Sequence, residues 1–150
     1  MNLYLVSEAL APESEYACKK VDILAEGAVS KPEDIVAIVE PFLRHKRQEY
    51  FLACTLDGSG HVIAIRIVTI GLLNHCLVHP REVFRDAVLD SAATMIVIHN
   101  HPSGSLEPSS QDIAITRPLV DAGGFIGISI LDHIIVAKQG HCSMKERGLM

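Results

Sequence analysis

The chain has no tryptophan, and its aromatic content is only 5%. Any core must therefore be built from aliphatic side chains, which a hydrophobic content of 49% can supply. A C-x-x-C pair is also missing, since Cys18, Cys54, Cys76 and Cys142 stand far apart, and no basic-then-apolar leader opens the chain. Reduced thiols and a cytoplasmic setting are the expectation, with Cys54 a core residue of an apolar run. No apolar run reaches the roughly 20 residues that a membrane-spanning helix needs. Nor is there a positive balance: with a net charge of -5 the chain lacks the overall field that drives non-specific nucleic-acid binding. The densest basic stretch, Arg44-His45-Lys46-Arg47, reads as a solvated turn at a helix C-terminus, where cations complement the macrodipole.

What is present is patterned as a globular domain. A chain of 150 residues can bury about 70% of the surface its unfolded form exposes, enough for one core. Residues 1–29 hold one short apolar run, Leu3 to Val6, read as an edge strand, and a domain is expected over 30–150. Ser30 and Glu33 form a capping-box pair with Pro32 in the first turn, and Ile35, Ile38, Val39 and Phe42 follow at helical spacing. A helix over about 31–46 is expected in spite of Pro41. Two β-rich runs, Glu49 to Leu56 and His61 to Ile70, flank Asp57-Gly58-Ser59-Gly60 and predict a hairpin.

A second helix starts at Pro80 and places Phe84, Ala87 and Val88 on one face. "ATMIVIHN" is an apolar run of the buried-strand type that ends abruptly in polar residues. After a Gly/Ser/Pro loop over 102–109, Ile113, Leu119 and Val120 mark a third helix that Gly123-Gly124 should stop. Pro118 inside it should produce a kink, at a cost of up to about 3 kcal/mol. "FIGISILDHIIV" supplies one long or two short strands, and the tail is read as a surface strand fading into disorder. The pattern points to a mixed α/β sandwich with helices on a largely antiparallel sheet.

The chemistry concentrates where the apolar run ends. His99 and His101 are two apart, so in an extended segment both side chains leave on one side and one cation could take both. Catalytic zinc typically has three protein ligands and an open fourth position. The third would be Asp112, carried back over the strand end by the first turn of the next helix. Two histidines and a carboxylate suit Zn²⁺, and ligand type leaves Fe²⁺ and Mn²⁺ open. Ser109 and Asp112 also read as a helix cap, and a cap alone would account for both.

These residues resemble a known signature. His99-x-His101, seven residues, Ser109, two more and Asp112 are similar to the H-x-H-x7-S-x2-D pattern of the JAMM (MPN) metalloproteases. "HPREVFRDAVLDSA", "HNHPSG" and "LDH" resemble the bacterial RadC branch, over about residues 30–147. The resemblance implies a cytidine-deaminase-like α/β fold, a zinc hydrolase site acting through a metal-activated water and, by analogy with eukaryotic relatives, cleavage of amide or isopeptide bonds in a protein or peptide substrate. It implies His99, His101 and Asp112 as ligands, Ser109 as oxyanion stabiliser and Glu49, at the start of "EYFLACTL", as general base, with Glu82 the fallback.

The helix-hairpin-helix region of longer RadC proteins is not found here, which weakens the case for DNA binding. The chain departs from the family at "GLLNHCL", where relatives show a glycine-threonine turn, and at Pro118. His133 is read as a structural histidine in an apolar strand. Competing readings are a DNA-repair or nucleic-acid-processing factor, which the acidic balance disfavours, and a non-catalytic metal-binding module. A deaminase site would need H-x-E and P-C-x-x-C, and neither is present.

Overall fold

The structure is a computed structural model that describes residues 27–71 and 78–150. The Leu3–Val6 strand, Cys18, His75, Cys76 and most of "GLLNHCL" lie outside the described residues. In chain order the elements are α1 (Pro32–Leu43), β1 (Tyr50–Leu56), β2 (Val62–Ile70), α2 (Pro80–Leu89), β3 (Thr94–Asn100), α3 (Ser110–Ile126), β4 (Ser129–Ala137) and β5 (Gly140–Ser143). The strands form one sheet in the order β2-β1-β3-β4-β5. Only β3 and β4 run parallel, as a strand–helix–strand crossover through α3 demands. The other neighbours are antiparallel, so the expected mixed α/β sheet is the one observed.

Alternation along the strands sends side chains to two helical layers. Leu52, Cys54 and Leu56 of β1 join Ile96 and Ile98 of β3 in a cluster with Ile35, Val39 and Leu43 of α1. Phe51 and Ala53 of β1 join Met95 and Val97 of β3 in a cluster with Val83, Phe84 and Ala87 of α2 and Ile115 and Leu119 of α3. The sheet is thus covered on both faces, which explains why β3 is apolar without alternation. Burial pushes the Cys54 thiol up to about 12, so it stays a neutral core group.

Several local expectations are corrected. The helix α1 ends at Leu43 rather than near residue 46, because Arg44 caps it, donating its backbone N–H and a bidentate side-chain pair to Glu40. The basic run therefore lies past the helix, with Lys46 Nζ 4.4 Å from the Phe42 ring centroid and 5.1 Å from that of Tyr50. At the other end, Asp34 and not Glu33 reaches back, accepting from Ser30 N, Ser30 Oγ and Lys31 N at 2.9, 2.9 and 3.1 Å. In α2 the buried face is Val83, Phe84 and Ala87, and Val88 is 56% exposed.

The helix α3 runs through Gly123-Gly124 and ends at Gly127, which takes the left-handed conformation at φ 82°. Gly123 has a different reason: a Cβ there would meet Ile128 O at 2.6 Å and Phe84 Cζ at 3.2 Å. Pro118 and Pro41 are both exposed, as are Ala114 and Ala37, whose carbonyls lose a donor. Those carbonyls sit on the solvent side, where water can replace the missing bond. The tail does not fade: Cys142 and Met144 are buried, and Leu106, Ile113, Leu149 and Met150 pack against them.

On β2, the buried Arg66 forms a bidentate pair with Asp90 at the end of α2. Thr55 Oγ1 also donates to Asp90, at 2.7 Å, which ties the hairpin to that helix.

Candidate metal centre

β3 places the buried His99 on the face shared with Phe51 and Val97, and His101 follows on the same side. At His101 the chain still follows β4, with His101 N donating to Val136 O at 2.9 Å. The loop over 102–109 turns back through Gly104, at φ 88°, and Ser109 caps α3. Leu106 packs against the Cys142–Met144 cluster and Glu107 pairs with Arg147 at 2.7 Å, so the loop is tethered to the last turns of the chain.

The cap delivers the carboxylate. Ser109 Oγ accepts from Asp112 N at 3.1 Å, and Ser109 N donates to Asp112 Oδ2 at 2.6 Å. Asp112 Oδ1 then lies 3.1 Å from His99 Nε2, and Oδ2 lies 3.3 Å from His101 Nε2. The two imidazole Nε2 atoms are 2.8 Å apart. One ligand atom from each of His99, His101 and Asp112 falls within 4.8 Å of the others. His99 and Asp112 are 0% and 3% exposed.

The donor set fits a cation. His101 Nδ1 is 2.8 Å from the Ser105 carbonyl, which can only accept, so that nitrogen carries the proton and Nε2 of the neutral ring is a lone pair. Lone pairs crowded against a buried carboxylate repel one another unless a positive charge lies among them. The acid–base balance agrees. Burial works to raise the Asp112 carboxyl, but its contacts with His101 and His99 hold it well below the usual carboxylate range. The Asp112 carboxylate raises His101, against its burial, with help from the Ser105 carbonyl and the charge of Glu49.

Glu49 stands just before β1 and is half-buried. β1 and β3 are antiparallel with Phe51 opposite His99, so continuing that register sets Glu49 opposite His101 and on the ligand face. Its backbone is fixed from three sides. Glu49 O accepts from Gly71 N at 2.8 Å, and the Asn100 side chain brackets its neighbours, accepting from Tyr50 N at 2.7 Å and donating to Gln48 O at 3.0 Å. In that register Gln48 would face Pro102, which has no N–H to give, and the Asn100 amide supplies the missing donor. Glu49 is not one of the clustered ligand residues. Glu82 is engaged by Arg81 and Arg85 at 3.2 and 3.7 Å on α2, and neither is a ligand residue.

Two buried polar residues stand behind His99. His133 Nε2 is 2.8 Å from His99 Nδ1, and Thr116 Oγ1 is 2.6 Å from both His133 Nδ1 and Asp112 O. Burial pushes His133 well below the usual histidine range, so it is neutral and outside the ligand set. Thr116 was not legible as a site residue, although its place one turn after Asp112 puts it on the same helix face.

An α/β sheet flanked by helices, with a His-His-Asp cluster where its central strand ends, defines the JAB-type class of domain. Residues 29–149 match the model of the RadC-like JAB domain, and the chain belongs to that family. Its relatives include a UPF0758 protein of Methanospirillum hungatei, 52% identical over 123 residues that make up 81% of this chain and 55% of the relative. Another, from Syntrophomonas wolfei, is 46% identical over 126 residues, 81% of this chain and 54% of the relative. A third, from Shouchella clausii, is 46% identical over 125 residues, 83% of this chain and 54% of the relative. The chain spans about half the length of these curated relatives. Among the described residues no helix is long and apolar enough to cross a membrane.

Proposed function

We propose that this chain is a zinc-dependent hydrolase that cleaves an amide or isopeptide bond in a protein or peptide substrate. The observation that supports this most strongly is the convergence of His99 Nε2, His101 Nε2 and the Asp112 carboxylate at the end of β3. Zinc held by these three would polarise the scissile carbonyl and lower the pKa of bound water to about 7. Zinc is preferred to iron or manganese because two imidazoles, one carboxylate and one open position suit its tetrahedral habit.

Glu49 is the general base, taking a proton from the attacking water and passing it to the leaving amine. Its place outside the ligand cluster and opposite His101 suits that role. Ser109 uses its oxygen as an acceptor for the cap, which leaves its hydroxyl proton to donate to the oxyanion of the tetrahedral intermediate. Free, buried Cys54 and Cys142 suit a cytoplasmic setting.

Protein purified without added metal should carry about one zinc per chain by elemental analysis. A content near zero, equal to that of Asp112→Ala, would overturn the reading. Glu49→Gln should keep the metal, lose hydrolysis and retain bound substrate in a trapping experiment. Loss of metal from that variant would make Glu49 a ligand or a structural group instead.

A further inference from the structure

Thr116 and His133 are both 0% exposed, and neither belongs to the ligand set. Their hydrogen bonds can be assigned one by one. Thr116 Oγ1 is 2.6 Å from Asp112 O, and two oxygens at that distance need a proton between them. A carbonyl has none, so the threonine hydroxyl donates its only proton there. The other acceptor near it, Met144 Sδ at 3.7 Å, is weak.

The 2.6 Å contact between Thr116 Oγ1 and His133 Nδ1 must then take its proton from the imidazole. A ring sealed from water and in contact with no carboxylate stays neutral, so His133 Nε2 is a lone pair. His99 Nδ1, 2.8 Å away, donates to it. The proton of His99 is thereby confined to Nδ1, and Nε2 is left bare toward Asp112 and His101.

We propose that Thr116 and His133 are positioning residues that lock His99 in its Nδ1–H tautomer, the neutral form able to bind a metal through Nε2, and so set the metal affinity of the centre. Resting on the metal-site reading above, this adds that the site's readiness is built into the carbonyl–Thr116–His133–His99 line before any ion arrives. Phe51, opposite His99 on β1, holds the pair from the side, with its ring centroid 6.3 Å from that of His99 and 5.5 Å from that of His133. Supporting hydrogen bonds of this kind typically change metal affinity by about 10–100-fold.

Thr116→Val keeps the shape and removes the hydroxyl, and Thr116→Ser restores it. Zinc affinity, measured by competition with a chromophoric chelator, should fall by about 10–100-fold in Thr116→Val and recover to within a few-fold of wild type in Thr116→Ser. ¹⁵N spectra of histidine-labelled, metal-free protein should show His99 protonated at Nδ1 in wild type and Thr116→Ser, and redistributed toward Nε2 in Thr116→Val. A valine variant that binds zinc as tightly as wild type overturns the proposal. If that variant fails to fold, the wild-type spectrum decides, because a metal-free His99 protonated at Nε2 also overturns it. A wild type that takes up no zinc defeats the hydrolase reading instead, while the ¹⁵N spectrum still tests the tautomer.

Discussion

Against α1 the sheet presents Leu52, Cys54, Ile65, Ile96, Ile98 and Ile134, while against α2 and α3 the same strands present Phe51, Ala53, Val97 and then His99 and His133. Both faces bury polar side chains where β3 ends, but they use them differently. Asn100, which shares the parity of Ile96 and Ile98, spends its amide on the backbone of Gln48 and Tyr50. His99, His133 and Thr116 bond to one another, and His101 meets Asp112, side chain to side chain. One face closes the strand end as structure, and the other leaves donor atoms converging on a point. A step of one residue along β3 switches between the two outcomes.

The comparison can be broken most severely from either side. Ile98→Ala, on the α1 face, should cost about 2–5 kcal/mol of stability, read in a denaturant titration, with zinc stoichiometry unchanged in the folded fraction. His101→Ala should show the reverse, losing metal uptake with little change in the melting temperature of chelator-treated protein at alkaline pH, where the contact of His101 with Asp112 no longer adds stability. If both variants lose metal and stability alike, the faces are not separable.

On the α2/α3 face, Gly123→Ala should cost about 1–3 kcal/mol through the clash with Ile128 O and Phe84, outweighing the better helix propensity of alanine. Pro118→Ala, on the exposed side of the same helix, should instead stabilise by about 1 kcal/mol, because it returns a donor to Ala114 O.

The smallest effect is a pH dependence of opposite sign with and without metal. The raised His101 pKa means that in metal-free protein its contact with Asp112 contributes stability fully present below the unfolded value of about 6.5 and lost as pH rises through the raised value. Metal requires the deprotonated ring, so zinc binding strengthens over the same interval. The melting-temperature gap between zinc-loaded and chelator-treated protein should widen as pH rises through that window. A constant gap would remove the proton–metal competition.

Most elements were legible because their signals are local. The Asp57–Gly60 turn between β-rich runs marks the hairpin, and Ser109 with Asp112 marks the start of α3. The misses are tertiary. Gly123 looks like a stop signal, yet it is kept free of a side chain by Ile128 and Phe84, which no helical period announces. Val88 has helical spacing but lies beyond the α2 contact. The candidate triad falls within one short stretch, so its clustering was legible, whereas the support behind His99 comes from the middle of α3 and from β4. The clamp on Glu49 joins residues about 50 positions apart, and only strand pairing makes it visible.

The three candidate ligands all lie on one excursion of the chain, from residue 99 to residue 112. An ion that joins them closes only that small loop, and the entropy taken from an unfolded chain by closing a loop grows only slowly with its length. Sheet register and both helical layers are held by contacts elsewhere, so an ion bound there would not be a staple for the fold. Small zinc modules unfold when stripped of metal, whereas this domain should stay folded whether or not an ion occupies the His99–His101–Asp112 cluster.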